Sequence, residues 1–202
     1  MNNILYILIG YFLGSIPTGY IVNRLIKGVD IRKIGSGNVG ATNTYRVSGR
    51  LPALIVFLVD AAKGILAVLI VRYMLNETSS VWLMTTGVCS VLGHIFPAWL
   101  HFKGGKGVST AAGIAFIFMP DTALAGFLIF LVVFLLTKTV SLSSITAFFS
   151  LLIFEMERFI IVKTEEKLFF AAILFIIILS SHRTNIKRIL AGKELSFRRG
   201  KK

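Results

Sequence analysis

Seven times this chain runs apolar for a length at or near that of a bilayer crossing, at residues 4–22, 52–73, 82–100, 108–119, 122–137, 145–159 and 168–181. In lipid such a run must satisfy its own backbone hydrogen bonds, so each is expected to be a helix, and about 20 residues complete a crossing. Several runs are shorter than that. The expected fold is an all-α integral membrane protein, a seven-span helical bundle with partly short helices, forming one polytopic domain over residues 1–202. Composition points the same way: 55% of residues are hydrophobic, 15% are charged and the mean hydropathy is +0.82, whereas soluble domains carry about 25% charged residues.

The net charge of +13 raises nucleic acid as a partner, but its distribution argues for topology instead. With seven crossings and the N-terminus outside, residues 23–51, 101–107, 138–144 and 182–202 lie on the cytoplasmic side with the C-terminus. They carry six, two, one and eight Lys or Arg, 17 of the chain's 22, as the positive-inside rule requires. Merging 111–136 into one span would move the eight basic residues of the tail outside, so Pro120 and Asp121 are read as a turn. Residues 155–167, with four Glu against three basic residues, fall in an external loop. Residues 1–22 have no basic leader and are read as the first span, not as a signal peptide. Cys89 stands alone, which excludes a disulfide framework. His94, His101 and His182 are widely separated, so no metal and no other cofactor is expected.

Polar, glycine-rich segments interrupt the apolar pattern. Residues 35–46 read Gly-Ser-Gly-Asn-Val-Gly-Ala-Thr-Asn-Thr-Tyr-Arg. Gly35, Gly37 and Gly40 permit positive φ and a nest of amides for an anion. Ser36, Asn38, Thr42 and Asn43 add hydrogen-bonding side chains, and Arg46 adds a bidentate fork suited to phosphate. A second segment, Lys103-Gly104-Gly105-Lys106-Gly107, lacks Walker spacing because Leu100 replaces the first Gly and Gly107 follows Lys106. It still joins a glycine turn to a helix start at Val108, with Lys106 as a point charge. Ser141, Ser143 and Ser144 mark another cytoplasmic junction, as helix caps or as ligands. His182 and Asn185, at i and i+3, would share a face if the last helix continues. His94 is read as a structural histidine, Asp60 and Lys63 as an ion pair on one helical face, and Gly10 and Gly14 as close-packing positions. The topology puts all four polar segments on one membrane face.

Three of these segments carry a resemblance. Ser36-Gly37-Asn38-Val39-Gly40-Ala41-Thr42-Asn43 with Arg46, then Gly93-His94-Ile95-Phe96-Pro97 through Phe102-Lys103-Gly104-Gly105-Lys106-Gly107-Val108, then His182 through Arg188, resemble in order the signatures of the bacterial acyl-phosphate:glycerol-3-phosphate acyltransferases, the PlsY family. The resemblance implies transfer of a fatty acyl group from acyl-phosphate to the 1-position of sn-glycerol 3-phosphate, giving lysophosphatidic acid and phosphate. It implies a multi-pass enzyme of the bacterial cell membrane with its site at the cytoplasmic face, and contact with the enzyme that supplies acyl-phosphate. By the same resemblance Ser36, His182 and Asn185 are catalytic, and Asn38, Thr42, Asn43, Arg46, Gly104, Gly105, Lys106, Gly107 and Ser144 bind substrate. Ser181 and Thr184 depart from the usual Arg and Glu beside that His and Asn.

The His-x4-Asp pattern of many acyl-CoA-dependent glycerolipid acyltransferases is absent, since Trp99, Lys106 and Lys187 stand five residues beyond the three histidines. The acceptor hydroxyl could lose its proton to His182 as general base or to an oxygen of the departing phosphate, with His182 positioning substrate. The second is preferred, because no carboxylate orients His182 in the motif. The rival reading is a membrane transporter of phosphate or organophosphate anions, against which stands the absence of an inverted internal repeat.

Overall fold

The computed structural model describes residues 3–163 and 165–197, all helical or irregular, with no strand among them. The helices are α1 (Asn3–Gly14), α2 (Thr18–Lys27), α3 (Ala41–Ser48), α4 (Arg50–Leu69), α5 (Ser80–Ile95), α6 (Val108–Phe118), α7 (Pro120–Thr137), α8 (Val140–Val162), α9 (Glu165–Ser181) and α10 (Arg183–Leu190). All seven apolar runs are largely helical, the first and third with breaks at residues 15–17 and 96–97. Length and hydropathy suffice for a crossing in four stretches, Asn3–Lys27, Arg50–Met74, Ser80–Leu100 and Pro120–Thr137. A fifth is reached if α9 and α10, bent by 63° at His182, count as one, and α6 is apolar but shorter.

The described residues form two compact units, one within 3–114 and one within 115–197. In the first, α1 lies along α5 because both lack side chains where they meet. A Cβ on Gly14 would strike the Ser90 carbonyl, one on Gly10 the Thr86 carbonyl, and one on Gly93 the Tyr11 carbonyl. These are the close approaches that small residues allow between membrane helices, so Gly10 and Gly14 pack as expected. The first span is not continuous, however. It breaks over residues 15–17, where Pro17 has no N–H to give to the preceding turn, and α2 restarts at Thr18.

In the second unit α8 packs on both α7 and α9. Two expectations change here. Residues 138–144 are not simply a connecting loop, because α8 starts at Val140 and takes in all three serines. Ser143 Oγ and Ser144 Oγ donate to the carbonyls of Thr139 (2.8 Å) and Val140 (2.9 Å) instead of capping. At the other end α8 runs on to Val162, so Glu155 lies in no external loop. It is wholly buried and accepts a hydrogen bond from Thr122 Oγ1, the kind of partner a carboxyl within an apolar helix requires.

Candidate active site

The first glycine-rich segment is organised by Asn43. Its side chain is 1% exposed; Oδ1 accepts from the Ser36 amide (2.9 Å) and Nδ2 donates to the carbonyls of Ile34 (2.9 Å) and Ile31 (3.3 Å). Asn43 thus folds the loop with both ends of its amide. Gly35 and Gly37 take φ of +65° and +73°, where a side chain is strained. Gly40 does not; its φ is −82°, and its amide is held by Asn38 Oδ1 at 2.9 Å. The expected open nest is therefore largely closed, since the amides of Ser36, Gly37 and Gly40 all bond within the loop. What this segment presents for recognition is the N-terminal turn of α3 with Ser36 and Thr42, and half-buried Arg46 in the last turn of the same helix. Before it, Asp30 accepts the Arg32 amide and guanidinium, and that guanidinium bond holds its carboxyl down at about 2 against the opposing effect of burial.

The second segment folds against the end of α5. The amides of Gly104 and Gly105 donate to the carbonyls of Ile95 and His94, both at 3.0 Å. A Cβ on Gly105 would land on His94 Nε2, and one on Gly104 on the His94 carbonyl. Gly107 has φ +77°, and its Cβ would meet Val91 at 2.7 Å. An added methyl there would press on the protein's own helix α5. The turn from Lys106 into α6 ends at a helix N-terminus, whose amides favour an anion. Leu100, just before this segment, packs with Val39 of the first and with Ile31 just ahead of it, so the two glycine-rich segments share an apolar seam inside one unit.

The remaining candidates lie in the second unit. His182, 1% exposed, sits at the bend between α9 and α10, so it does not continue one straight helix with Asn185. Its Nδ1 is 2.8 Å from the Ile178 carbonyl. A carbonyl only accepts, so Nδ1 carries the proton and Nε2 is the acceptor of the neutral ring. Asn185, 3% exposed, donates through Nδ2 to Glu194 Oε1 at 2.6 Å, while its Oδ1 is buried with no hydrogen-bond partner among the described residues. Ser144 is 1% exposed on the first turn of α8.

Glu194 is the residue that sequence reasoning missed. Its carboxylate collects Ser141 Oγ (2.9 Å), Asn185 Nδ2 (2.6 Å) and Arg188 Nε (2.8 Å), joining the start of α8 to α10. The signal was present in its being the sole acid of residues 182–202, among eight Lys and Arg. Burial pushes this carboxyl up, but the bonds from Arg188, Asn185 and Ser141 outweigh it and hold it below the ordinary glutamate value. Its stabilising contribution is thus complete above the unfolded value near pH 4.3 and fades as the pH falls through the lower folded one. Glu194→Ala should cost about 2–4 kcal/mol, because three donors lose a charged acceptor. An unfolding midpoint in detergent equal to the wild type's at pH 7 would refute this.

The arrangement, then, is two glycine-rich turns with Arg46 and Lys106 in one unit and a fixed His with an orphaned amide oxygen in the other. A family model described as Glycerol-3-phosphate acyltransferase matches residues 4–192. The chain belongs to the glycerol-3-phosphate acyltransferase family. A family member from Aquifex aeolicus (strain VF5), named Glycerol-3-phosphate acyltransferase, is 42% identical over 198 residues, spanning 98% of this chain and all of its own. One from Prochlorococcus marinus (strain MIT 9312) is 41% identical, covering 95% of this chain and 96% of its own. The fold matches crystal structures of PlsY, described as an integral membrane glycerol 3-phosphate acyltransferase. The glycerol 3-phosphate form gives a TM-score of 0.88 at 41% identity, covering 98% of this chain and 96% of that one. The lysophosphatidic acid form gives 0.85 at 41% identity, covering 97% and 95%.

Proposed function

We propose that this protein transfers a fatty acyl group from acyl-phosphate to the 1-position of sn-glycerol 3-phosphate, releasing lysophosphatidic acid and phosphate. The observation that carries this is the family match over residues 4–192, within which all three polar signatures fall. The PlsY structures in glycerol 3-phosphate and lysophosphatidic acid forms support the acceptor and the product. Acyl-phosphate as donor is what the resemblance to the PlsY family implies, and two glycine-rich segments with Arg46 and Lys106, suited to two phosphates, support it.

In this reading the 1-hydroxyl attacks the donor's carbonyl carbon, an ester C–O bond forms, and the bond from that carbon to the phosphate oxygen breaks. The hydroxyl proton passes to the departing phosphate. Arg46 and Lys106 stabilise charge on the phosphate groups as it develops, with Ser36, Asn38, Thr42 and the 104–107 turn holding them. Nε2 of His182 and Oδ1 of Asn185 accept hydrogen bonds from the glycerol and aim it. Ser144 contributes a hydroxyl to the substrate, and Asn43 acts through the shape of its loop. The membrane arrangement is seven spans in the bacterial cell membrane, with the reacting residues cytoplasmic, supported by the 17 basic residues of the segments assigned to that side.

One experiment addresses reaction and sidedness together. Labelled glycerol 3-phosphate and acyl-phosphate are supplied to sealed inside-out and right-side-out vesicles. The expected result is organic-soluble label in the inside-out vesicles alone. Label that enters the lumen while staying water-soluble would establish the transporter instead, and product from right-side-out vesicles alone would reverse the topology.

A further inference from the structure

The reaction as described makes no use of the charges buried in the first unit. Asp60 and Lys63, 1% and 4% exposed near the middle of α4, form an ion pair of 2.8 Å. Pairing at i and i+3 satisfies part of what each charge needs in an apolar helix, but Lys63 also reaches outside its own helix. Its Nζ donates to the carbonyl of Ile16 at 2.9 Å, within the break that Pro17 makes in the first span. Beside it, Ser15 Oγ accepts the Ala98 amide at 2.9 Å. His94 approaches the same Asp60 oxygen as Lys63, its Nδ1 3.6 Å from Oδ1, while Thr110 Oγ1 donates to the Asp60 backbone carbonyl at 2.8 Å.

Each end of this chain of contacts leads to one glycine-rich segment. His94 underlies the second, since its carbonyl holds the Gly105 amide and its ring fills the place of a Gly105 side chain. The break leads to the first through α2. Gly19 packs on the Val39 carbonyl so closely that a Cβ would strike it, Asn23 Nδ2 donates to Thr44 Oγ1 at 3.0 Å, and Ser48 Oγ donates to Asn23 Oδ1 at 2.7 Å. Packing alone does not hold this junction. A cavity of about 10 Å³ opens among Ile16, Thr18, Val39, Asp60, Lys63 and His94, room for about one water, and Thr18 Oγ1 there is buried with no partner among the described residues. Polar contacts are what fix it.

We propose that Lys63, with Asp60 and His94, is a positioning unit that sets the spacing of the two glycine-rich segments and hence of the two phosphate groups they hold. The inference rests on the function proposed above, in which those segments bind the two substrates. The proposed reaction assigns none of the three a contact with substrate.

The test uses the full chain purified in detergent, with KM for both substrates, kcat and the thermal midpoint measured for wild type, Lys63→Met and the double variant Asp60→Asn/Lys63→Met. The double variant matters because it leaves no unpaired buried charge. Both are expected to raise both KM values by about tenfold or more with a smaller change in kcat, since misplaced segments weaken ground-state binding of each substrate. A double variant with wild-type KM values, or with only one raised, would overturn the proposal. So would a fall in kcat at unchanged KM, or a failure to fold, because the pair would then serve only to keep the protein native. Failure of the underlying reading looks different: wild-type protein would make no lysophosphatidic acid, or variants of Arg46 and Lys106 would leave both KM values alone.

Discussion

Arg46→Ala is expected to lower kcat/KM by about 10³-fold, the upper end for removal of one preorganised charge-stabilising group. Arg46 lies in the last turn of α3, a helix whose start is fixed by the Gly40 turn and whose Asn43 and Thr44 are buried. Its backbone is thus held by a rigid element. Arg46→Lys should recover only a small part, because an ammonium offers a point charge where a planar fork grips two oxygens. Steady-state kinetics against both substrates would check this, and near-wild-type activity in the Lys variant would show that charge alone suffices at this position.

The second large effect concerns His182. His182→Ala should cost about 10²–10³-fold in kcat, whereas His182→Gln, which restores an acceptor near the place of Nε2, should recover to within about tenfold with an unaltered pH profile. The structure removes one objection to a base at this position, since the Ile178 carbonyl fixes the ring and its tautomer as a carboxylate would. In the reaction proposed above the donor's own phosphate still takes the proton. A Gln variant as inactive as the Ala variant, with one limb of the pH profile gone, would make His182 the general base.

What could be read from the sequence were features that depend on local composition. The seven apolar runs became helices, and the Asp60–Lys63 spacing became an ion pair, because hydropathy and helical periodicity are properties of neighbouring residues. Pro17 was visible, but not that its break would be closed by a lysine 47 residues on. Gly40 was grouped with Gly35 and Gly37 although its amide needs only an extended φ and Asn38. Glu155 counted toward a charged loop because one charge does not tell a surface from a buried partner such as Thr122. Glu194 lies 53 residues from Ser141, and no local pattern joins them; only the fold brings that hydroxyl and Asn185 to one carboxylate.

The bond from Lys63 to Ile16 also bears on how the protein enters the bilayer. A span carrying Asp and Lys at its centre is opposed by about 2.5–3.5 kcal/mol for each charge on the insertion scale, and a span broken by proline exposes a carbonyl to hydrocarbon. Each defect is the other's remedy. Each of the first two membrane segments is apolar enough to cross, and the contact relieves a cost in both, which favours their meeting in lipid as a hairpin. The same contact that spaces the glycine-rich segments in the finished protein would then be among the first tertiary contacts made as it is built.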